Sequence, residues 1–364
     1  MELPTLIRAA QQGDVDAFGT IVARFQRMAY ALAYAMVGDA HLAEDAAQEA
    51  FIEAYLQLPQ LREPAAFVAW FHRILFKHGD RLTRGRPAPI VGLDADDSAL
   101  KTSLDLARLA ADRELGQRVR AAIAELPESS RQVITLFYLA DMSLKEIAAT
   151  LEIPANTVKK RLFDARARLK ARMEPLARDY LAHQRPAANF PLTVQFLITI
   201  RTRNLPKIRE LLAADPALVH AREDAGDDTA KQYYLPLSGG YTALHRAATD
   251  GDQDLLALLL GAGADPNATT SYGLTPLHSA IAAVQTEAVR MLLAHGADPQ
   301  RTLVSGMAPL HWAAIRNSAP IVELLLTHGA DPAARDRHGR TARDWAELKG
   351  YRPIVGLFNR HASA

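Results

Sequence analysis

Gly273-Leu274-Thr275-Pro276-Leu277-His278 is one copy of a phrase that recurs through the second half of this 364-residue chain. Gly240, Gly273, Gly306 and Gly339 stand 33 residues apart. They introduce Thr242-Ala243-Leu244-His245, Thr275-Pro276-Leu277-His278, Ala308-Pro309-Leu310-His311 and a degenerate Thr341-Ala342-Arg343-Asp344. A second phrase follows in three units: Gly263-Ala264-Asp265-Pro266, Gly296-Ala297-Asp298-Pro299 and Gly329-Ala330-Asp331-Pro332. A fixed period of this length marks a stacked array, because one such unit cannot bury its apolar face alone. Leu255, Leu256, Leu258, Leu259 and Leu260 supply the second helix of one unit. The glycine of the second phrase suits a helix end that needs left-handed backbone.

Period and phrases resemble the ankyrin repeat from about Gly239 onward, which implies two short helices and a hairpin finger per unit. Val194 to His220 reads as an atypical first repeat, its Ile208-Arg209-Glu210-Leu211-Leu212 echoing the later second helices. A polar insertion, Ala221 to Gly239, separates it from the regular units, and the last unit reads as a cap. The resemblance makes His245, His278 and His311 structural residues bonded to neighbouring backbone. One histidine per 33 residues along a solenoid cannot converge on an ion, so no metal site is expected. Ankyrin arrays bind partners with finger tips and the first helices. Counting along the repeat puts Tyr241, Thr249, Tyr272, Leu274, Val304, Met307, Ile315 and Arg316 there, with Arg337 and Arg340 at the far end. Such an apolar strip predicts a docking surface for a protein, either a separate partner or this chain's own N-terminal half.

Ahead of the array, Glu114 to Arg172 reads as helical. Ser143, with Glu146 three residues on, forms a capping box that opens a short helix to about Thr150. Leu151-Glu152-Ile153-Pro154 interrupts it, and a longer helix starts near Ala155. Val158, Leu162, Ala165 and Leu169 make one buried stripe on that helix. Between Pro154 and Arg172 stand Lys159, Lys160, Arg161, Arg166, Arg168, Lys170 and Arg172 against the single acid Asp164. A scaffold helix, a tight turn and a basic helix form a helix-turn-helix pattern fit for a DNA major groove. The surrounding text, from Glu125-Leu126-Pro127-Glu128 through Ile153-Pro154-Ala155-Asn156-Thr157-Val158-Lys159-Lys160-Arg161, resembles region 4 of sigma factors. The resemblance implies −35 element contacts by Thr157, Lys159, Lys160, Arg161, Phe163, Arg166 and Lys170.

The N-terminal segment resembles region 2 of the extracytoplasmic-function (ECF) sigma factors over about Leu6 to Arg84. The match lies in Ala43-Glu44-Asp45-Ala46-Ala47-Gln48-Glu49-Ala50-Phe51 and in Ala66-Phe67-Val68-Ala69-Trp70-Phe71-His72-Arg73-Ile74. By position, Asp45, Gln48, Glu49 and Phe51 are then an exposed ridge for bacterial core RNA polymerase. Phe67, Trp70, Phe71, Arg73, Lys77, Arg81 and Arg84 belong by position to the helix that opens the −10 element. Aromatics for unstacked bases interleaved with cations for the strand suit that task. Phe67, Phe71 and Ile74 also sit at helical spacing and are expected to be at least half buried. Near Lys77-His78-Gly79-Asp80 the text departs from the family.

Composition agrees without deciding. The formal net charge is +1, so basicity is local to the middle helix rather than global. The chain has no cysteine, which excludes disulfides and cysteine-held metal. No signal peptide or membrane-length run is read, and the expected location is cytoplasmic. No phosphate-binding loop, metal triad or nucleophile motif points to an enzyme or a cofactor. The expectation is an all-α chain: residues 1–85 as region 2, 86–112 as linker, 113–178 as region 4 and 190–364 as ankyrin repeats. Its expected function is promoter-directed initiation, with promoter DNA and core polymerase as partners and the array as regulator or protein-binding module. The competing functions are a DNA-binding regulator that never engages polymerase and an ankyrin scaffold.

Overall fold

The computed structural model describes residues 2–83, 121–169, 186–223, 240–270 and 272–362. It is helical, as expected. Two compact units divide it, 1–198 and 199–364. The 86–112 linker falls outside the described residues.

The first unit opens with α1 (Leu3–Gln11), α2 (Val15–Val37), α3 (Ala40–Gln57) and α4 (Phe67–Thr83). Local chemistry sets their ends. The Asp14 carboxylate accepts from the Asp16 and Ala17 amides to start α2, and Asp39 accepts from Leu42 to start α3. α2 stops at Gly38, in left-handed backbone. Between α3 and α4 the chain makes two short 3-10 turns, Leu58–Gln60 and Pro64–Ala66. α2 packs on α1, α3 and α4, and its buried side chains (Phe18, Ile21, Val22, Ala29, Leu32) fill the centre.

A trihelical group follows: α5 (Glu128–Tyr138), α6 (Leu144–Leu151) and α7 (Ala155–Arg168). The capping box forms, with the Ser143 amide donating to Glu146 Oε2 at 2.8 Å and the Glu146 amide to Ser143 Oγ at 3.3 Å. Those bonds hold the Glu146 carboxyl below its ordinary pKa. Glu152, left-handed at φ 53°, turns the chain from α6 toward α7. Val158, Leu162, Ala165 and Leu169 are all buried, as their spacing predicts. The group packs on α2: the Arg27 guanidinium donates to the Leu139 carbonyl at 3.2 Å, and Thr150 Oγ1 lies 3.9 Å from Met28 Sδ. α8 (Phe190–Arg201) follows, and the boundary between the units falls within it.

The second unit continues with α9 (Leu205–Ala214) and then helix pairs: α10 (Ala243–Asp250) with α11 (Gln253–Gly261), α12 (Pro276–Ala282) with α13 (Thr286–Ala294), α14 (Pro309–Ile315) with α15 (Ala319–Thr327), and α16 (Ala342–Leu348) with α17 (Arg352–Ala362). A two-residue ladder pairs Arg222 with Thr242 and Glu223 with Tyr241, antiparallel. Gly263, Gly296 and Gly329 hold φ of 89°, 85° and 84°, the left-handed backbone their phrase requires.

Side chains at fixed offsets join each repeat to the next. His245 Nδ1 lies 2.8 Å from Thr242 Oγ1, and its Nε2 donates to the Leu274 carbonyl at 3.0 Å. His311 repeats this toward the Arg340 carbonyl at 3.0 Å. Asn267 and Gln300 donate to the Gly296 and Gly329 carbonyls, at 2.9 and 2.6 Å. Burial pushes His245 down to about 4 and His278 down to about 3, so both rings are neutral. A histidine depressed in the folded state binds fewer protons than in the unfolded chain. Its contribution is therefore complete above about pH 6.5 and is lost as pH falls from there toward 4. The thermal midpoint of the array should thus drop between pH 7 and pH 5. His245→Gln with His278→Gln should flatten that drop while lowering the midpoint at pH 7. Melting curves of the full chain at the two pH values check both.

Candidate nucleic-acid interface

Each predicted contact residue has a definite place in the N-terminal unit. Asp45, Gln48 and Glu49 share one turn of α3. Their exposure differs from the expected ridge: Asp45 is half-buried, while Gln48 and Glu49 keep only 5% and 4% of their surface. Ala43, Ala46, Ala47, Ala50 and Ala54 are all buried, and such short side chains draw neighbouring helices close enough to cover the polar residues between them. Phe51 is core rather than rim. It stacks on Phe71 at 4.5 Å between ring centroids and meets Phe18 and Phe190 edge-on at 6.5 and 6.1 Å.

On α4 the aromatics divide. Phe67 and Phe71 are fully buried and stack on one another at 5.7 Å. Trp70 is half-buried and tilts against Phe67. The cations are already engaged. Arg73 lies 3.9 Å from Glu152, at the turn of the helix-turn-helix. Lys77 Nζ donates to Glu53 Oε1 at 2.8 Å, and His78 Nε2 sits 2.6 Å from Glu53 Oε2. Burial works to raise the Glu53 pKa, but the bonds from Lys77 and His78 outweigh it and hold it below the ordinary value. Burial lowers His78 against the opposing pull of Glu53. This clamp, together with Gly79, whose missing Cβ leaves room for the Met36 thioether, is what the departing text Lys77-His78-Gly79 builds. Arg81 is half-buried and has partners of its own. Arg84 and Lys170 lie outside the described residues.

The outer face of α7 is the open one. Lys159 and Lys160 are exposed and take part in no ion pair among the described residues. Phe163, one turn on, is 71% exposed. Thr157 and Arg161 are half-buried at its flank. Arg166 turns inward: its guanidinium covers the Phe137 ring at 5.3 Å, and its Nε donates to the Tyr138 hydroxyl at 3.1 Å. It therefore pins α7 to α5.

The strip read along the array is only partly a surface. Tyr241 and Leu274 are buried in one cluster with Ala282 and Leu303, and Met307 packs against it. Thr249 is buried too, within 3.1 Å of the Tyr241 hydroxyl. Tyrosine at the finger base uses its ring as core and its hydroxyl to satisfy Thr249 and Ser279. Tyr272 and Val304 remain exposed, at 47% and 52%, while Ile315 and Arg316 are half-buried. Arg337 and Arg340 are exposed, and Arg340 lies over the Trp345 ring at 4.9 Å. Among the described residues no cluster of His, Asp or Glu can hold a metal ion, and no helix is long and apolar enough to cross a membrane.

Comparison with known proteins agrees with this layout. Residues 21–76 match sigma-70 region 2 and residues 116–169 match sigma-70 region 4. Residues 193–303 and 292–346 match ankyrin repeats. The ECF RNA polymerase sigma-E factor of Escherichia coli K12 is 35% identical over 184 residues, which is 48% of this chain and 95% of that protein. The chain belongs to the ECF sigma factors. The RNA polymerase sigma-H factor of Pseudomonas aeruginosa and the ECF sigma factor SigW of Bacillus subtilis are each 33% identical, over 95% and 99% of their lengths and 48% of this chain. The ankyrin array is thus an addition to a full ECF sigma half.

No sequence signal marks the Glu53 clamp, because Glu53 and His78 stand 25 residues apart and neither belongs to a repeated phrase. Glu53→Ala should destabilise this sigma half by about 1.5–3 kcal/mol, since it strips a buried histidine and a lysine of a charged partner. Glu63→Ala, at an exposed position, should stay within about 0.5 kcal/mol. Urea midpoints of the two variants check this.

Proposed function

We propose that this ECF sigma factor binds core RNA polymerase through α3, reads the −35 element with α7 and opens the −10 element with α4, while the ankyrin array regulates that activity through a protein contact. The chain contributes no chemistry of its own on this reading; polymerase makes the RNA with its own magnesium.

The observation that carries the DNA half is the outer face of α7. Lys159 and Lys160 are cations with no ion pair among the described residues, beside an exposed phenyl ring, on a helix whose opposite stripe is buried. A lysine there can bond guanine O6 and N7 or a phosphate, and a phenyl edge suits a thymine methyl. Arg166, tied to Tyr138, acts by holding the helix at its angle rather than by reaching the strand.

The −10 assignment falls on Trp70 and the α4 cations. Of the three aromatics assigned there, Trp70 is the half-buried one, suited to stack on a base that leaves the duplex. Arg73 and Lys77 face carboxylates in the free chain, so phosphates must displace Glu152 and Glu53 when DNA arrives. Such an exchange makes promoter opening salt-dependent. In the array, exposed Tyr272 and Val304 are the finger residues left to meet a partner.

Lys159→Ala and Lys160→Ala should each weaken binding of the holoenzyme to a −35-dependent promoter by about 1–3 kcal/mol where the lysine reads a base, with relaxed preference at that base. A phosphate-only lysine weakens all sequences alike. Asp45→Lys should reduce capture of core polymerase by more than any loss of thermal stability explains, since Asp45 is half-buried and engaged within the chain. Full-strength promoter binding by both lysine variants, or undiminished capture by Asp45→Lys, refutes the corresponding assignment.

A further inference from the structure

One missing side chain in α2 makes room for a helix from far along the chain. Gly19 sits within α2, where glycine weakens a helix relative to alanine. A Cβ at that position would land on the side-chain amide of Gln195. That amide donates through Nε2 to the Val15 carbonyl at 3.2 Å. Gln195 is buried among Val194, Phe196, Leu197 and Ile198, all buried as well. A buried amide in such company is tolerated only when its hydrogen bonds are made, so Gln195 fixes where α8 sits along α2.

The same segment reaches α3. The Ala187 amide donates to Glu44 Oε1 at 3.2 Å, and the Phe190 ring meets the Phe51 ring at 6.1 Å. Glu44, Gln48 and Phe51 fall on one stripe of α3, four and three residues apart. Residues 187–190 touch both ends of that stripe, and Gln48 between them is buried. Gln48, one of the residues proposed to dock on polymerase, belongs to it, and Phe51 is the core ring at its end. The ankyrin match begins at residue 193, inside α8. By sequence α8 is part of the array; by packing, Phe190 and Gln195 belong with region 2.

We propose that α8 is an internal lock, which covers the polymerase-docking face of region 2 and must leave the Gly19 notch before core polymerase engages. The proposal rests on reading α3 as the docking helix. In the free chain the locked form holds most of the population, and the apparent affinity for polymerase is reduced by the unlocked fraction.

The test uses the full-length chain titrated onto purified core RNA polymerase. Phe190→Ala with Gln195→Ala lies outside the proposed docking residues and should raise apparent affinity at least about tenfold, with faster hydrogen exchange in α8. Gly19→Ala closes the notch from the other side while favouring the α2 helix, so a gain there cannot come from a weakened α2. It carries the test if the double variant fails to fold. Unchanged or weaker affinity in the folded variants, with exchange showing α8 released, overturns the lock. Asp45→Lys in the unlocked background separates the two claims. If it still weakens binding while unlocking brings no gain, the lock is wrong and the docking reading stands. If binding never depends on Asp45, the docking reading fails and takes the lock with it.

Discussion

The ring of Phe51 lies where four helices meet. Its face stacks on Phe71 of α4, its edges meet Phe18 of α2 and Phe190 of α8, and Phe71 in turn stacks on Phe67. Aromatic pairs at these separations contribute about 0.5–1.5 kcal/mol each beyond the apolar surface they bury. Because the rings interlock, the angle of α4 depends on α3, and the place of α8 depends on both. The residues assigned to polymerase and to the −10 element are therefore mounted on one shared core. A change at Phe51 alters the mounting, so substitutions there report on the fold, while exposed Lys159 and Lys160 are the positions proposed for recognition.

Around that core the free chain keeps its charges matched internally. Glu53 holds Lys77 and His78, Glu152 faces Arg73, and Arg27 caps the Leu139 carbonyl across the seam between α2 and α5. Exposed pairs such as Arg73 with Glu152 are individually weak. They are partners that a phosphate can replace at small cost, unlike the buried side of the Glu53 clamp. Lys159 and Lys160 already face solvent. On the proposed reading, α7 meets DNA first and α4 becomes available as its acids are displaced.

The repeat array was readable from the text alone, since its glycines, helix starts and histidines recur every 33 residues and each recurrence reflects one backbone requirement. The helix-turn-helix was equally plain, because Ser143 with Glu146 and the Val158, Leu162, Ala165, Leu169 stripe are local signals. Burial was the weaker reading. Gln48 and Glu49 looked like surface by chemistry, yet the alanines beside them let neighbours close over the turn. Tyr241 and Leu274 looked like finger-tip residues by position, yet they fill the space between adjacent repeats. The pairing of Gly19 with Gln195 spans 176 positions and carries no motif, so only the folded chain brings it to light.

The central claim is that this chain confers promoter-specific initiation. Core RNA polymerase, reconstituted with the purified full-length protein and supplied with a library of promoter fragments, tests it most directly. The expected transcripts start at defined sites, need both a −35 and a −10 element, and are missing with core polymerase alone. Transcription no different from core polymerase alone, from the wild-type chain and from the unlocked Phe190→Ala with Gln195→Ala variant alike, would contradict it.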